Sequence, residues 1–359
     1  MMKMKRLYFL VFCWVISAGP AFSQASNCTQ VLRLVRTTYE QGRLHELPAL
    51  TEGCLKSAGA QGFSKEERKE AYRYLTLSYI YLEEPEKADE MMLQLLNTDH
   101  FYKPNKDVDP AEFISLYNKF RHDPLFRVGL KGGLNTTQPV VTNYYNIGST
   151  GAGQGKYTLS SSFQVYGVFE KDFTKKLPIV IAAELGYVAR SYTYVNDQLA
   201  TADEDPTQAI SSQKFAFSQS FLDLNVIGQY KLVNTVDLQW YVGGGPGISY
   251  LLGSKNQATT LLGNGFTVTG GQVDDIKSYN KVLVSFSIVG GVKYKFGELY
   301  LTGEARYQLG FTNAVNSAAR TNSEIAFDYQ GRYNDYRLNN LMINIGIIYP
   351  YFKPLKLIK

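Results

Sequence analysis

Two periodicities divide the chain. Over residues 28–120 apolar positions recur at three- and four-residue intervals, which predicts amphipathic helices. Ser64 followed by Glu67 is a capping box, and Ala71, Leu75, Ser78/Tyr79 and Leu82 line the face behind it. Pro85 restarts the chain, and Ala88, Met91/Met92 and Leu95 mark the next helix. Asp109, Pro110 and Glu112 read as an N-cap, a first-turn proline and a capping carboxylate. The helix they open would bury Phe113, Leu116, Tyr117 and Phe120. An earlier helix pair is predicted over 29–41 and 45–56. Short antiparallel helices of this length are tetratricopeptide-like, with a plain helical bundle as the equivalent alternative.

His122, Asp123 and Pro124 mark a boundary, beyond which the period drops to two. Eight segments alternate apolar with polar or small residues. The first sets Val128, Leu130 and Leu134 against Arg127, Lys131 and Asn135; the fourth sets Leu222, Leu224 and Val226 against Asp223 and Asn225. The last sets Leu341, Ile343, Ile345 and Ile347 against Asn340 and Asn344. A soluble sandwich would alternate in the same way. The connections separate the two readings. Long polar stretches, such as 136–160 and 252–281, follow the odd-numbered segments, and tight turns near 171–177, Asn234 and 297–298 follow the even ones. Short turns at one end and long loops at the other are the pattern of an outer-membrane barrel. The predicted fold is therefore α+β, an eight-stranded antiparallel transmembrane β-barrel preceded by a small all-α helical-hairpin domain.

In lipid every backbone group must pair internally, so the sheet must close with its apolar face outward. The polar face then lines the lumen with Arg127, Lys131, Glu170, Glu184, Arg190, Asp223, Asp237, Lys293, Lys295, Glu304 and Arg306. Eight strands leave an interior just wide enough for side chains to fill. These charges are thus expected to pair with one another in a plugged core, with Arg127 or Lys293 as the partner of Glu304.

Composition and charge add further constraints. Lys3, Lys5 and Arg6, an apolar stretch over 7–16 and small residues up to Ser23 read as a secretory signal peptide over 1–24. Its removal lowers the formal charge from +5 to +2, too little for a nucleic-acid partner. No run of 18 apolar residues follows, which excludes a helical membrane protein. The 27 Tyr and 20 Phe gather mainly after residue 125 and suit the two edges of a bilayer. Neither Cys13 nor Cys28 sits in a lipobox. Cys13 leaves with the signal, so Cys28 and Cys54 remain, an even pair that reads first as a disulfide in an oxidising periplasm and otherwise as two free thiols.

Catalytic chemistry is missing from the expected barrel. His45, His100 and His122 all precede it, so a hydrolase there would lack a histidine base. They are also too scattered for a metal site. Residues 243–247 (Gly-Gly-Gly-Pro-Gly) suggest a phosphate loop only superficially, because a strand-like stretch follows them. The carboxylate pairs and triplets at 203–205 and 274–275 read as solvated loop charge.

The His122-Asp123-Pro124 boundary is followed by a strand reading Phe-Arg-Val-Gly-Leu-Lys-Gly-Gly-Leu-Asn over 126–135. Together with the stretch 242–250, this arrangement resembles the outer-membrane β-barrel family common in Bacteroidota, whose members include the PorT-like proteins. That resemblance covers roughly two thirds of the chain, by pattern more than by motif. It implies an association with type IX secretion or gliding and carries over no catalytic residue. The reading from sequence is a non-enzymatic outer-membrane protein without cofactor or metal. Residues 25–123 would form a periplasmic helical docking domain and 124–359 the barrel, with the C-terminus also in the periplasm. Its partners would be outer-membrane lipid and a periplasmic or outer-membrane protein, with no small-molecule substrate evident. The alternative is a surface-binding protein or narrow solute channel acting through the extracellular loops.

Overall fold

The computed structural model describes residues 27–57, 59–144, 155–174, 177–196, 210–262, 264–319 and 334–357. The expected signal peptide and the 203–205 carboxylates lie outside them. The chain divides into two compact units, one formed by the residues up to Asp123 with Lys353–Lys359, the other by Pro124–Phe352.

Among the described residues the first unit holds five α-helices, α1 (Asn27–Glu40), α2 (Leu47–Lys56), α3 (Lys65–Tyr81), α4 (Pro85–Thr98) and α5 (Ala111–Asn118). α3 starts where the capping box places it, with Ser64 and Glu67 exchanging bonds across the first turn. It stops at Glu83, whose φ of 57° is left-handed. The Glu84 N–H then donates to the Tyr79 carbonyl at 2.9 Å and the Glu83 N–H to Ile80 at 3.2 Å, a Schellman closure with glutamate where glycine is usual. Leu77, Ala88, Met92, Leu95, Phe113 and Phe120 form the core between α3, α4 and α5. Cys28 of α1 and Cys54 of α2 are joined by a disulfide, with Cα atoms 5.7 Å apart. One expectation fails here. Asp109 does not cap α5, which begins at Ala111 with Pro110 as its N-cap residue. The Asp109 carboxylate is buried and accepts from Arg73 at 2.8 and 2.5 Å and from the Asn105 N–H at 2.7 Å. A pairing 36 residues away outcompetes a local cap because burying the carboxylate demands a cation. Burial also pushes the Tyr102 hydroxyl up to about 12, so that residue stays neutral beside this pair.

The second unit is one antiparallel sheet. Eight long strands follow one another, β1 (Phe126–Asn143), β3 (Ser161–Asp172), β4 (Ile179–Asn196), β5 (Ile210–Asn234), β6 (Leu238–Leu262), β9 (Val282–Phe296), β10 (Leu299–Gly310) and β11 (Asp335–Tyr351). Each pairs with its neighbour in sequence, and β1 pairs with β11 from Phe126↔Tyr351 onward, which closes the ring. Short β2 (Lys156–Leu159) adds to β4, and β7 (Thr267–Thr269) and β8 (Val273–Asp274) add to β6. Closure leaves the eight strands without a free edge along the shared stretch.

The apolar residues point out. Ile343, Ile345 and Leu130 are 63%, 72% and 60% exposed, while Lys131, Glu184 and Arg306 on the alternate face are fully buried. Two aromatic belts bound this apolar band. Phe169, Tyr230, Trp240, Tyr294 and Tyr349 lie towards the tight turns, and Phe163, Tyr187, Tyr250 and Tyr307 towards the long connections. Beyond the second belt the chemistry of the two faces inverts while the alternation continues. In β5, Asp223 and Asn225 face in and Leu222 and Leu224 out, yet eight residues earlier Phe215 and Phe217 face in and Lys214 and Ser218 out. β5 keeps its alternation through this inversion, while β6 takes it up after a bulge at Leu252, as expected where strands pass from hydrocarbon to water. The inversion also corrects the expected long loops. β1 runs on to Asn143 and β6 to Leu262, because Thr-, Tyr- and Ser-rich chain in water pairs its backbone with the strand beside it. Residues 243–247 lie inside β6, as strand.

Candidate functional site

The interior of the ring collects the charged residues, and they sort into levels. Nearest the tight turns, Arg127 meets Asp172 at 2.9 Å and Lys231 meets the same carboxylate at 2.7 Å. One level on, the Lys293 ammonium donates to both Glu170 oxygens at 2.8 and 2.6 Å and to Gln229 at 3.0 Å. It also lies 4.9 Å from the Tyr241 ring centre. At mid-height Lys131 bridges Glu184 at 2.9 Å and Glu304 at 2.8 Å. Arg306 bridges the same two carboxylates at 2.5 and 2.6 Å, and the Tyr241 hydroxyl adds a 2.8 Å bond to Glu304. Above them Arg190 donates to Asp223 at 2.9 Å, Ser249 at 3.0 Å and Gln308 at 3.1 Å.

Two cations and two carboxylates at mid-height cancel, as do the Lys293–Glu170 and Arg190–Asp223 pairs. An ion in a dry interior costs several kcal/mol unless paired and hydrogen-bonded, so these three inner levels must each be close to neutral, while the outermost level, where Asp172 is 29% exposed, carries two cations on one carboxylate. Amides fill the gaps. Asn135 donates to Gln164 at 2.8 Å and Gln164 to Asn344 at 2.8 Å. Gly186 and Gly291 face two buried tyrosines, since a Cβ on either would lie 2.4 Å from the Tyr166 ring or 2.5 Å from the Tyr241 hydroxyl.

Towards the long connections this polar column ends under an apolar layer. Tyr192, Phe217, Phe221, Leu251, Leu283, Tyr336 and Leu338 pack together. The Tyr192 and Tyr336 hydroxyls bond to each other at 2.8 Å. Chain from between the strands closes over them. Tyr279 bridges to Val315, and the Asn280 and Ala314 N–H groups donate to Ala314 and Tyr336 at 2.9 and 2.8 Å.

Nine of the eleven residues assigned to the lumen are buried there, namely Arg127, Lys131, Glu170, Glu184, Arg190, Asp223, Lys293, Glu304 and Arg306. Asp237 is not one of them. It is exposed in the turn before β6, because the alternation runs one residue further than the strand, which starts at Leu238. Lys295 is only half-buried near the end of β9, where its N–H donates to the Asp237 carbonyl at 2.8 Å. Glu304 pairs with Lys131 and Arg306, and neither Arg127 nor Lys293 is its partner. Alternation missed Asp172 and Lys231, which lie at strand ends next to turns, and Tyr166 and Tyr241, which look apolar in a binary pattern. The glycines opposite those tyrosines are the signal that would have found them. Of the 274–275 pair, read as solvated loop charge, Asp274 is exposed at the end of β8 and accepts the Ile276 N–H at 3.0 Å, whereas Asp275 is buried.

Among the described residues no group of three or more His, Cys, Asp or Glu is arranged to hold a metal ion. The three histidines lie in the helical unit, His122 stacked on Tyr117 with ring centres 4.8 Å apart.

No curated protein matches the chain. Solved structures similar to it are outer-membrane proteins. OprG from Pseudomonas aeruginosa is 15% identical with a TM-score of 0.31, over 64% of this chain and 98% of its own. Neisserial surface protein A is 12% identical with a TM-score of 0.30, over 63% and 97%. The outer membrane protease OmpT from Escherichia coli is 11% identical with a TM-score of 0.28, over 63% and 96%. Residues 118–316, more than half of the chain, match the family described as outer membrane protein beta-barrel domain. On that match, the chain belongs to this outer-membrane β-barrel family.

Proposed function

We propose that the protein is a sealed, non-enzymatic outer-membrane anchor whose helical unit docks a protein partner on the periplasmic side. The observation that carries this reading is the barrel interior, filled by ion pairs neutral at mid-height and covered by an apolar layer. A barrel built in this way holds an attached unit in the membrane and supplies no water-filled path. The helical unit has its own cores and a covalent tie between its first two helices, so it presents a fixed surface. On this reading residues 1–24 direct export, and both the helical unit and the C-terminus face the periplasm. The resemblance noted in the sequence adds a secretion or gliding apparatus as the setting.

A second reading, binding at the outer surface, is favoured by β5 and β6, which run for 25 residues each and continue past the aromatic belt. Copurification from native membranes, with and without residues 28–123, separates the two. Docking through the helical unit requires that a stoichiometric partner be lost with those residues. Retention of the same partner by the bare barrel would overturn it.

A further inference from the structure

The helical unit carries a groove of about 510 Å³ along the end of α3, the start of α4 and one face of α5. Its floor is apolar, formed by Ile80, Ala88 and Leu116. Its rim is acidic, with Glu83 in the turn after α3, Asp89 on α4 and Glu112 on α5; Glu84 also lines it but pairs with Lys87 at 2.5 Å. Glu83 is held at the lip by the left-handed turn that ends α3. Asp89 is the one of these three already engaged, and its partner comes from the far end of the chain. Residues 353–357 belong to this unit and run antiparallel beside the end of α5. The Arg121 N–H donates to the Leu355 carbonyl at 2.9 Å, and the Leu357 N–H to Lys119 at 2.7 Å. That places Lys356 at the groove, where its ammonium pairs with Asp89. Among the described residues Glu83 and Glu112 form no ion pair, and both are exposed.

We propose that this groove receives an extended, lysine- or arginine-bearing segment of a partner protein, an inference that rests on the docking reading above. The chain's own tail shows the chemistry on a small scale, an extended strand whose lysine reaches a groove carboxylate. Two more carboxylates stand further along an apolar floor without a cation. A segment alternating basic and apolar side chains meets both requirements, its apolar residues covering Ile80 and Leu116 and its cations reaching Glu83 and Glu112. An acidic or purely apolar segment leaves those carboxylates unpaired beside it. Lys119, at the groove edge, disfavours a fully basic tract.

The test uses the full chain in a nonionic detergent. The probe is a short fluorescein-labelled peptide of alternating lysine and leucine, read by anisotropy, with a glutamate-for-lysine counterpart as control. The expected result is saturable binding of the lysine peptide and none of the glutamate peptide. The variant E83Q/E112Q should bind about tenfold more weakly, the scale for losing two partly exposed charge contacts. Binding should also fade at high salt, where the screening length falls to about 3 Å. Both substitutions lie at exposed sites, and an unchanged helical circular-dichroism melt verifies that the unit stays folded. Absence of saturable binding, or equal binding by the double variant, would refute the groove assignment. In that event, copurification that still depends on residues 28–123 leaves docking itself standing. Loss of that dependence removes docking independently of the peptide result.

Discussion

At mid-height in the barrel, Lys131, Arg306, Glu184 and Glu304 share bonds around one closed set, all four fully buried. Removing a single carboxylate leaves a net positive charge with no solvent to receive it. Glu304→Gln should therefore lower barrel stability by about 3–5 kcal/mol. Lys131→Met combined with Glu304→Gln restores neutrality and should cost less than Glu304→Gln alone. Guanidinium unfolding in lipid vesicles, followed through Trp240, measures both; a double variant no more stable than the single would contradict the neutral-set argument. Residue-scale covalent chemistry matters in the other unit. The Cys28–Cys54 bridge closes a separation of 26 residues, worth about 3.5 kcal/mol in the chain-entropy account. Replacing both cysteines with alanine should lower the helical melting transition and leave the barrel transition in place. An unchanged helical melt would show that α1 and α2 are held by packing alone.

At the scale of the element, each strand carries two messages in one alternation. The period of two was plain in the sequence, and it located the eight strands and their order. The strand ends were less legible. A binary pattern that looks for apolar-out segments stops at the aromatic belt, where the preferred faces exchange. β5 thus reads as a strand near Leu222 although it begins at Ile210. The same blindness at the other end drew Asp237 into the lumen. On the outward face the middle of β11 is set by Leu341, Ile343, Ile345, Ile347 and Tyr349, with Ile345 72% exposed at its centre. Ile345→Arg puts a guanidinium in the hydrocarbon midplane and should cost about 2–4 kcal/mol. The same change at Tyr349, in the belt, should cost roughly 1 kcal/mol or less. Equal costs at the two depths, read from the same unfolding titrations, would mean that the apolar band is misplaced.

For the molecule as a whole, closure decides what the interior can do. β1 joins β11, so residues from opposite ends of the sequence share one lumen, and Lys131 reaches Glu304 across 173 positions. With the polar column paired and an apolar layer above it, the barrel should show no stable open state in planar bilayers. Eight strands enclose room for side chains and none for a continuous water column. Steady ion-selective conductance by the intact protein would refute the sealed interior and bring a channel role forward.

Helix and strand periods, the direction of the apolar faces between the two belts and nine of the eleven charges assigned to the inside were determined by local sequence. Each follows from spacing along one element, and spacing is what a chain displays before it folds. Which carboxylate meets which cation was decided only by the tertiary structure, because partners on a closed ring are set by strand stagger and not by order in the chain. The same holds for Asp109, whose sequence context advertised a helix cap and whose burial beside Arg73 made it an ion pair. The groove with its resident Lys356 is tertiary for the same reason. It exists where the last residues of the chain come to lie against helices encoded more than 200 positions earlier, and no local pattern records that meeting.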